Sequence, residues 1–463
     1  MNKKRTVILL SLLAAVLIVG AGIYLYSASV QRAQAEKTAE ENDRGLKRYS
    51  EFDIFADVPA MTREDVAYDN AIDAGGGDYM IAVKDAAPED YRDYLSVLEQ
   101  EGFQKVLDNG EEGLEGYVYT SHYQKENLLV VVSYIKNLKK ITITATENTV
   151  LSDRLYRDDS ALITATGAQT KMHVCELESV GMGFVFELKS GHFLLYDGGM
   201  KVELPHLVNY LESLVPKGEK PIIDAWFISH AHSDHMGILT GFAETSGYAD
   251  RVYIDSVYFF EPCAEAVTIN GDVDGVPWNM KFCAAASSYL KASDGGQPEM
   301  YRPRLGERYY FDEITIDVIY TPELSPVTDW DTFNASSIVT MMTVEGQKVL
   351  LTGDADWSSQ LIYTAMYDKE YFNLTIYQVP HHGINVYRQI SNRLGTIQTI
   401  IYPAKVVTGG AGPASFTGRK PQNEHLMSLA PESFAFGDGT RILTFPYEVG
   451  TAQKLPSKFS VEE

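Results

Sequence analysis

The densest chemistry in this 463-residue chain is one six-residue run, His230-Ala231-His232-Ser233-Asp234-His235. Imidazole nitrogen and carboxylate oxygen are donors that suit zinc, and iron or manganese as well. A run that leaves a strand and enters a helix can send alternate side chains to two neighbouring positions. His230 and His232 can then serve one cation, and Asp234 and His235 a second beside it. Two cations about 3.5–4 Å apart activate water near neutral pH and clamp a phosphoryl or carbonyl oxygen, so no separate strong base is needed. A chance surface cluster is a poor account of four donors that directly follow an apolar strand.

The elements that must hold this run are legible on both sides. Ala225-Trp226-Phe227-Ile228 reads as a buried strand before it, and Met236-Gly237-Ile238-Leu239 opens a helix after it. The same grammar recurs. Phe193–Tyr196 precedes Asp197-Gly198-Gly199, Lys348–Leu351 precedes Thr352-Gly353-Asp354, and Leu374–Val379 precedes Pro380-His381-His382-Gly383. Polar groups at strand ends, on loops held by a sheet, are where active sites commonly sit. These stations define an α/β domain over 160–447. Ahead of it, 49–153 reads as a small α+β unit. Strands are predicted over Tyr79–Val83, Tyr117–Tyr123, Leu128–Ile135 and Lys140–Thr146. A helix is predicted over Pro88–Glu101, with Tyr91, Tyr94, Leu95 and Leu98 on one face. His122 is the only histidine of this unit and is assigned a structural place, which makes the unit a spacer or interaction module. Residues 448–463 are polar and are expected to be loose.

The N-terminus carries Lys3, Lys4 and Arg5 before an apolar run from Thr6 to Tyr26. That run approaches the roughly 20 residues a spanning helix needs. The basic cluster ahead of it puts the N-terminus inside and the body outside. Residues 1–26 are therefore expected to be a cytoplasmic tip and transmembrane anchor, with 27–48 a linker; Ala33-Gln34-Ala35 offers a cleavage site for a secreted form. The net charge of −24 is a poor electrostatic match for a polyanion and argues against a general nucleic-acid binder. The three cysteines, Cys175, Cys263 and Cys283, imply no disulfide framework.

His-x-His-x-Asp-His after an apolar strand resembles the motif of the metallo-β-lactamase fold superfamily. Leu194-Leu195-Tyr196-Asp197-Gly198-Gly199, Leu350-Leu351-Thr352-Gly353-Asp354 and Val379-Pro380-His381-His382-Gly383 are similar to its other stations, in order. The resemblance implies a four-layer αβ/βα sandwich with the site at one edge of the sheets, holding two divalent ions, zinc or manganese. It implies His230 and His232 on the first ion and Asp234 and His235 on the second. Asp354 would bridge them, and His381 or His382 would complete the second. Asp197 would order the loop. In His381-His382 one ring would ligate and the other would serve as acid to the leaving oxygen. Many relatives have a further histidine on the first ion, but none lies between His235 and His381 here. Asp329, Asp331 or Asn334 could approach that position, or water could fill it, and single occupancy follows if it stays weak. That gap, the His-His-Gly station and Asn334-Ala335-Ser336-Ser337 resemble the domain of DNA-uptake competence proteins (ComEC-type) and exported phosphorylcholine esterases. His425, in Gln422-Asn423-Glu424-His425, is similar to a late histidine of the competence type. Asn334 and Ser336 become candidates to position substrate. The reaction implied is phosphodiester hydrolysis, on a small molecule, a wall polymer or a nucleic acid. Ester, thioester or amide hydrolysis and a non-catalytic surface module are the alternatives. His173, His192 and His206 are assigned structural places, and no protein partner is readable.

Overall fold

The computed structural model describes residues 52–61, 67–110, 113–157, 168–178, 180–270, 275–325, 327, 332–404 and 420–458. The expected anchor and linker lie outside them. Among the described residues no helix is long and apolar enough to cross a membrane.

The first unit is a six-stranded antiparallel sheet with one helix on it. The four strands legible in the sequence form at Asp78–Lys84, Val118–Lys125, Leu128–Ile135 and Lys140–Thr146. Two more, Ala67–Gly75 and Gln104–Asp108, are the edges of the sheet. Their Asp, Asn, Gly and Lys content hides them from propensity; pairing to a central strand overrides it. The helix Pro88–Gln100 starts on Pro88, with the Asp90 carboxylate accepting from the Ala87 amide at 2.6 Å. It buries Tyr91, Tyr94 and Leu98 on Val83, Val132, Ile141 and Ile143.

The opposite face of that sheet is polar yet buried. By register Thr120, His122, Ser133, Thr142 and Thr144 share it, and all five are buried. It docks on the segment 302–307 of the larger unit. Thr120 Oγ1 donates to the Leu305 carbonyl at 3.1 Å, and Asn109 Nδ2 to the Gly306 carbonyl at 2.9 Å. His122 Nε2 meets Glu307 Oε1 at 2.9 Å. Arg302 and Arg304 both donate to Asp78. A Cβ on Gly306, at φ +81°, would lie 2.0 Å from Thr120 Oγ1, so only glycine fits this approach. The unit is thus joined to the larger one through buried hydrogen bonds and ion pairs.

The larger unit packs two sheets face to face. One is nine-stranded and contains Phe193–Asp197, Ile222–Ile228, Ser256–Phe259 and Glu299–Tyr301, paired parallel. The other is seven-stranded and contains Gln347–Leu351, Leu374–Gln378, Ile397–Tyr402 and Glu432–Ala435, also parallel. Strand alternation builds the layers. Trp226 faces Phe242 of the helix Ser233–Glu244, while Phe227 stacks on Tyr258 and meets Phe311 of the other sheet. In the second sheet Val349, Leu351, Ile376 and Ile401 enter the inter-sheet core. Leu350, Tyr377 and Ile400 pack instead with Tyr363 and Met366 of the helix Trp357–Met366. The order helix, sheet, sheet, helix is the expected four-layer α/β architecture. Buried parallel strands explain why those runs read as continuously apolar.

The tail departs from expectation. Gln453–Lys454 pairs with Arg441–Ile442, and the Lys458 amide and Ser457 hydroxyl donate to the buried Glu176 carboxylate. Residues to 458 therefore belong to the folded domain; a buried acid needs those donors, and the sequence shows only polarity. Cys175, Cys263 and Cys283 are all free and buried.

Candidate metal centre

The carboxyl ends of the parallel strands converge, and so do the four stations. Gly353 shows how closely: a Cβ on it would lie 2.7 Å from Ser229 Cβ, so the loops after Ile228 and Leu351 touch. Gln378 fixes the second loop, accepting from the Thr352 amide at 2.6 Å and donating to the Gly353 carbonyl at 2.9 Å.

Asp197, at φ +51°, organises the histidines. Its Oδ1 accepts from the Ser229 amide, and its Oδ2 from the Ser229 hydroxyl and from His235 Nδ1, each at 2.7 Å. Burial raises its carboxyl above the ordinary value, opposed by those donors. Because Nδ1–H of His235 is spent on Asp197, it is Nε2 that faces the cluster. The helix carrying it begins at Ser233, three residues earlier than the apolar pattern indicates, because His232 is its N-cap. Asp234 and His235 therefore sit in its first turn, where the helix dipole favours a carboxylate.

His381 and His382 both adopt left-handed backbone, at φ +48° and +54°. Such residues cost on the order of 1–3 kcal/mol each and mark functional sites. The kink separates the two rings. His382 turns inward, donates Nδ1–H to the Pro403 carbonyl, and points Nε2 at Asp234 Oδ2 (2.9 Å) and Asp354 Oδ2 (3.4 Å). The His381 ring stays 23% exposed, 3.9 Å from Asp354.

Asp234, His235, Asp354 and His382 each offer a donor atom, all within 4.8 Å of one another. Bonds of about 2.0–2.2 Å to one ion separate its ligand atoms by roughly 3.3–3.6 Å. The atoms also fit a cation by chemistry. His235 Nε2 and Asp354 Oδ1 are buried 3.1 Å apart, and neither makes a hydrogen bond. Burial disfavours charge on both imidazoles, but the neighbouring carboxylates prevail. Asp354, Asp234 and Asp197 hold His235 well above the usual histidine range, and Asp354 and Asp234 hold His382 at about 10. Burial likewise opposes ionisation of Asp354 and Asp234, yet the facing imidazoles keep both below the usual carboxylate range. A divalent cation could take the place of these protons, since its ligands must be deprotonated.

His230 and His232 form a second group beside the first. His230 Nε2 lies 2.9 Å from His232 Nδ1 and 3.2 Å from Asn334 Oδ1. Burial, with the charges of His235 and His232, pushes His230 well below the usual range, so it stays neutral as a ligand must. The Asn334 amide nitrogen lies 3.3 Å from His381 Nδ1. Ser336 is buried nearby, while Asp329 and Asp331 lie outside the described residues.

The structure does not bring His425 to this cluster, which corrects its expected site role. It lies on the helix Lys420–Met427, bonded to Asn392 Oδ1 and beside Arg388, because that helix packs on Arg388–Ser391. His173 bonds Tyr210, and His192 bonds Asp224. His206 lies on the helix Leu204–Leu214. Sequence reasoning missed Ser229, Gln378 and Asn279. The last is buried and donates to the Ala231 carbonyl at 2.7 Å, between the two histidines of the first group. Single polar residues far apart in sequence leave no motif.

Residues 180–385 match the family model described as Metallo-beta-lactamase superfamily. These residues, which hold the cluster, are thus similar to a superfamily whose members are metal-dependent hydrolases. Among solved structures it is similar to a Cronobacter sakazakii metallo-β-lactamase with a HARLDQ motif (14% identity over 43% of this chain and 70% of that one, TM-score 0.27). It is also similar to zinc-bound PqqB from Methylobacterium extorquens (12%, 43% and 59%, TM-score 0.28). A third is BJP-1, a subclass B3 metallo-β-lactamase of Bradyrhizobium japonicum (15%, 54% and 84%, TM-score 0.25). No curated protein matches the sequence.

Proposed function

We propose that this chain hydrolyses phosphodiesters with two divalent cations, outside the membrane. The observation that carries the reading is the division of labour at the last station. His382 turns in among Asp234, His235 and Asp354, and His381 stays open to solvent beside them. Bound divalent cations supply Lewis acidity and lower the pKa of water. The chain's own groups do the rest. Asp197 and the Pro403 carbonyl fix the tautomers of His235 and His382. Ser229 and Gln378 hold the loops in register. The partly exposed His381 ring, with the Asn334 side-chain amide against it, is placed to give a proton to a departing alkoxide. A phosphodiester asks for both features, charge neutralised on its oxygens and a protonated leaving group. The motif likeness to competence-type domains and exported phosphorylcholine esterases supports the same bond. The charge of −24 favours a small or wall-polymer substrate over a long nucleic acid. The apolar run Thr6–Tyr26 behind a basic tip supports a membrane anchor with the hydrolase outside.

The test is hydrolysis of bis-p-nitrophenyl phosphate by the full chain with zinc or manganese added. Turnover that disappears in His232→Ala is the expected result. Turnover of aryl esters or β-lactams with none of the diester would overturn the phosphodiester reading and keep the hydrolase.

A further inference from the structure

The first cation position has a gap in its histidines, and the hydrogen-bond bookkeeping around it points to what fills the gap. Ser229 has one hydroxyl hydrogen. Its Oγ lies 2.7 Å from Asp197 Oδ2, and an ionised carboxylate only accepts, so that hydrogen goes to Asp197. The same Oγ lies 3.0 Å from His230 Nδ1 and must therefore accept from it. His230 thus carries its proton on Nδ1 and presents a lone pair at Nε2. That lone pair faces Asn334 Oδ1 at 3.2 Å. Two acceptors at this distance do not bond to each other; a cation between them reconciles the contact.

Asn334 is also held in place. It is 3% exposed and lies in the 3-10 turn Phe333–Ser336. Its backbone N–H donates to Thr332 Oγ1, and its backbone carbonyl accepts from the Ser337 amide at 3.0 Å. Ser337 in turn accepts from the Asp354 amide through Oγ at 3.1 Å, so the turn is tied to the loop of the second group.

We propose that Asn334 Oδ1 is the third protein donor of the cation position defined by His230 Nε2 and His232 Nδ1, in place of an imidazole. The proposal rests on the two-cation reading of the cluster and is independent of the bond hydrolysed. A neutral amide oxygen is a weaker donor to zinc than an imidazole. The two positions therefore fill in order, the four-donor group of Asp234, His235, Asp354 and His382 first and the Asn334 position second.

The competing account flips the amide, so that its nitrogen donates to His230 and no cation is involved. Calorimetric titration of the metal-free full chain with Zn²⁺, checked by elemental analysis and without substrate, separates the two. The wild-type chain should take up two ions in two resolved steps. Asn334→Leu should keep the first step and weaken the second by about 100-fold or more, on the scale of lost metal-site support. Asn334→Asp, which keeps the oxygen and cannot donate through nitrogen, should restore or tighten it. Circular dichroism on each variant confirms the fold. Two unaltered steps in Asn334→Leu, or a second step lost equally in Asn334→Asp, would overturn the proposal and leave the two-cation reading standing. A wild-type chain that binds no ion would overturn both.

Discussion

Two buried clusters of acids and bases in this molecule look alike in composition and differ in how their charges are met. At the junction of the two units, Asp78 is ringed by guanidinium groups from Arg302 and Arg304. Glu307 is similarly filled, with Oε1 on His122 and Oε2 accepting from the Arg304 amide and the Tyr309 hydroxyl. Every carboxylate oxygen there has a protein donor, and the one buried atom of the cluster without a partner is His122 Nδ1, on the far side of its ring from Glu307. At the strand ends, Asp354 Oδ1 and His235 Nε2 face each other without a hydrogen bond. A cluster whose carboxylates are all met by protein donors holds a structure together; one whose buried carboxylate and imidazole atoms converge without hydrogen bonds is shaped for a cation.

That contrast can be broken at either end. The largest effect is expected within the metal centre. His382→Ala should lose one ion and all turnover, while His381→Ala should keep both ions and lose about 10²–10⁴-fold in kcat, the usual yield of a general acid. Ion counts by elemental analysis, with steady-state rates, check both; equal ion loss in the two variants would erase the distinction between the rings.

At the junction the expected loss is of stability. Asp78→Ala leaves two buried guanidinium groups without their carboxylate, which should cost about 3–5 kcal/mol. The remaining folded protein should still bind its ions. Urea unfolding followed by tryptophan fluorescence reads the first and elemental analysis the second.

Gly306→Ala forces a Cβ against Thr120 at a left-handed backbone position. It should cost about 1–3 kcal/mol, read in the same urea experiment. An unchanged midpoint would mean that the sheet is not seated on this segment.

The smallest effect is in pH. Burial disfavours the Asp78 carboxylate, but Arg304 and Arg302 hold its pKa below the usual value. Its contribution is therefore complete above the ordinary carboxylate value of about 3.9 and fades as pH falls through the depressed one. The urea midpoint should drop more steeply on acidification in the wild-type chain than in Asp78→Asn.

The same contrast governs what could be read from the sequence. The convergence of the strand-end stations was legible because their polar residues cluster within six positions or follow apolar parallel strands, whose burial on both faces removes any competing pattern. The junction was not legible. Thr120, Ser121 and His122 form a polar run and Ser133 a single polar position, as a solvated strand would carry, and Arg302, Arg304 and Glu307 lie far along the chain. The choice between His381 and His382 depended on a left-handed kink that residue types do not announce. The edge strands Ala67–Gly75 and Gln104–Asp108 exist by pairing, against their own composition. His425 misled because its similarity was positional; the helix beneath it packs elsewhere.

The most direct test of the cation centre is the metal content of the purified full chain beside that of Asp354→Ala. Asp354 is buried and its Oδ1 makes no hydrogen bond, so its removal should empty the centre without unfolding the chain. Two equivalents of zinc or manganese in the wild type, with none retained and no diesterase turnover in a folded Asp354→Ala, is the predicted result. A folded Asp354→Ala that keeps its metal and its activity would contradict the account.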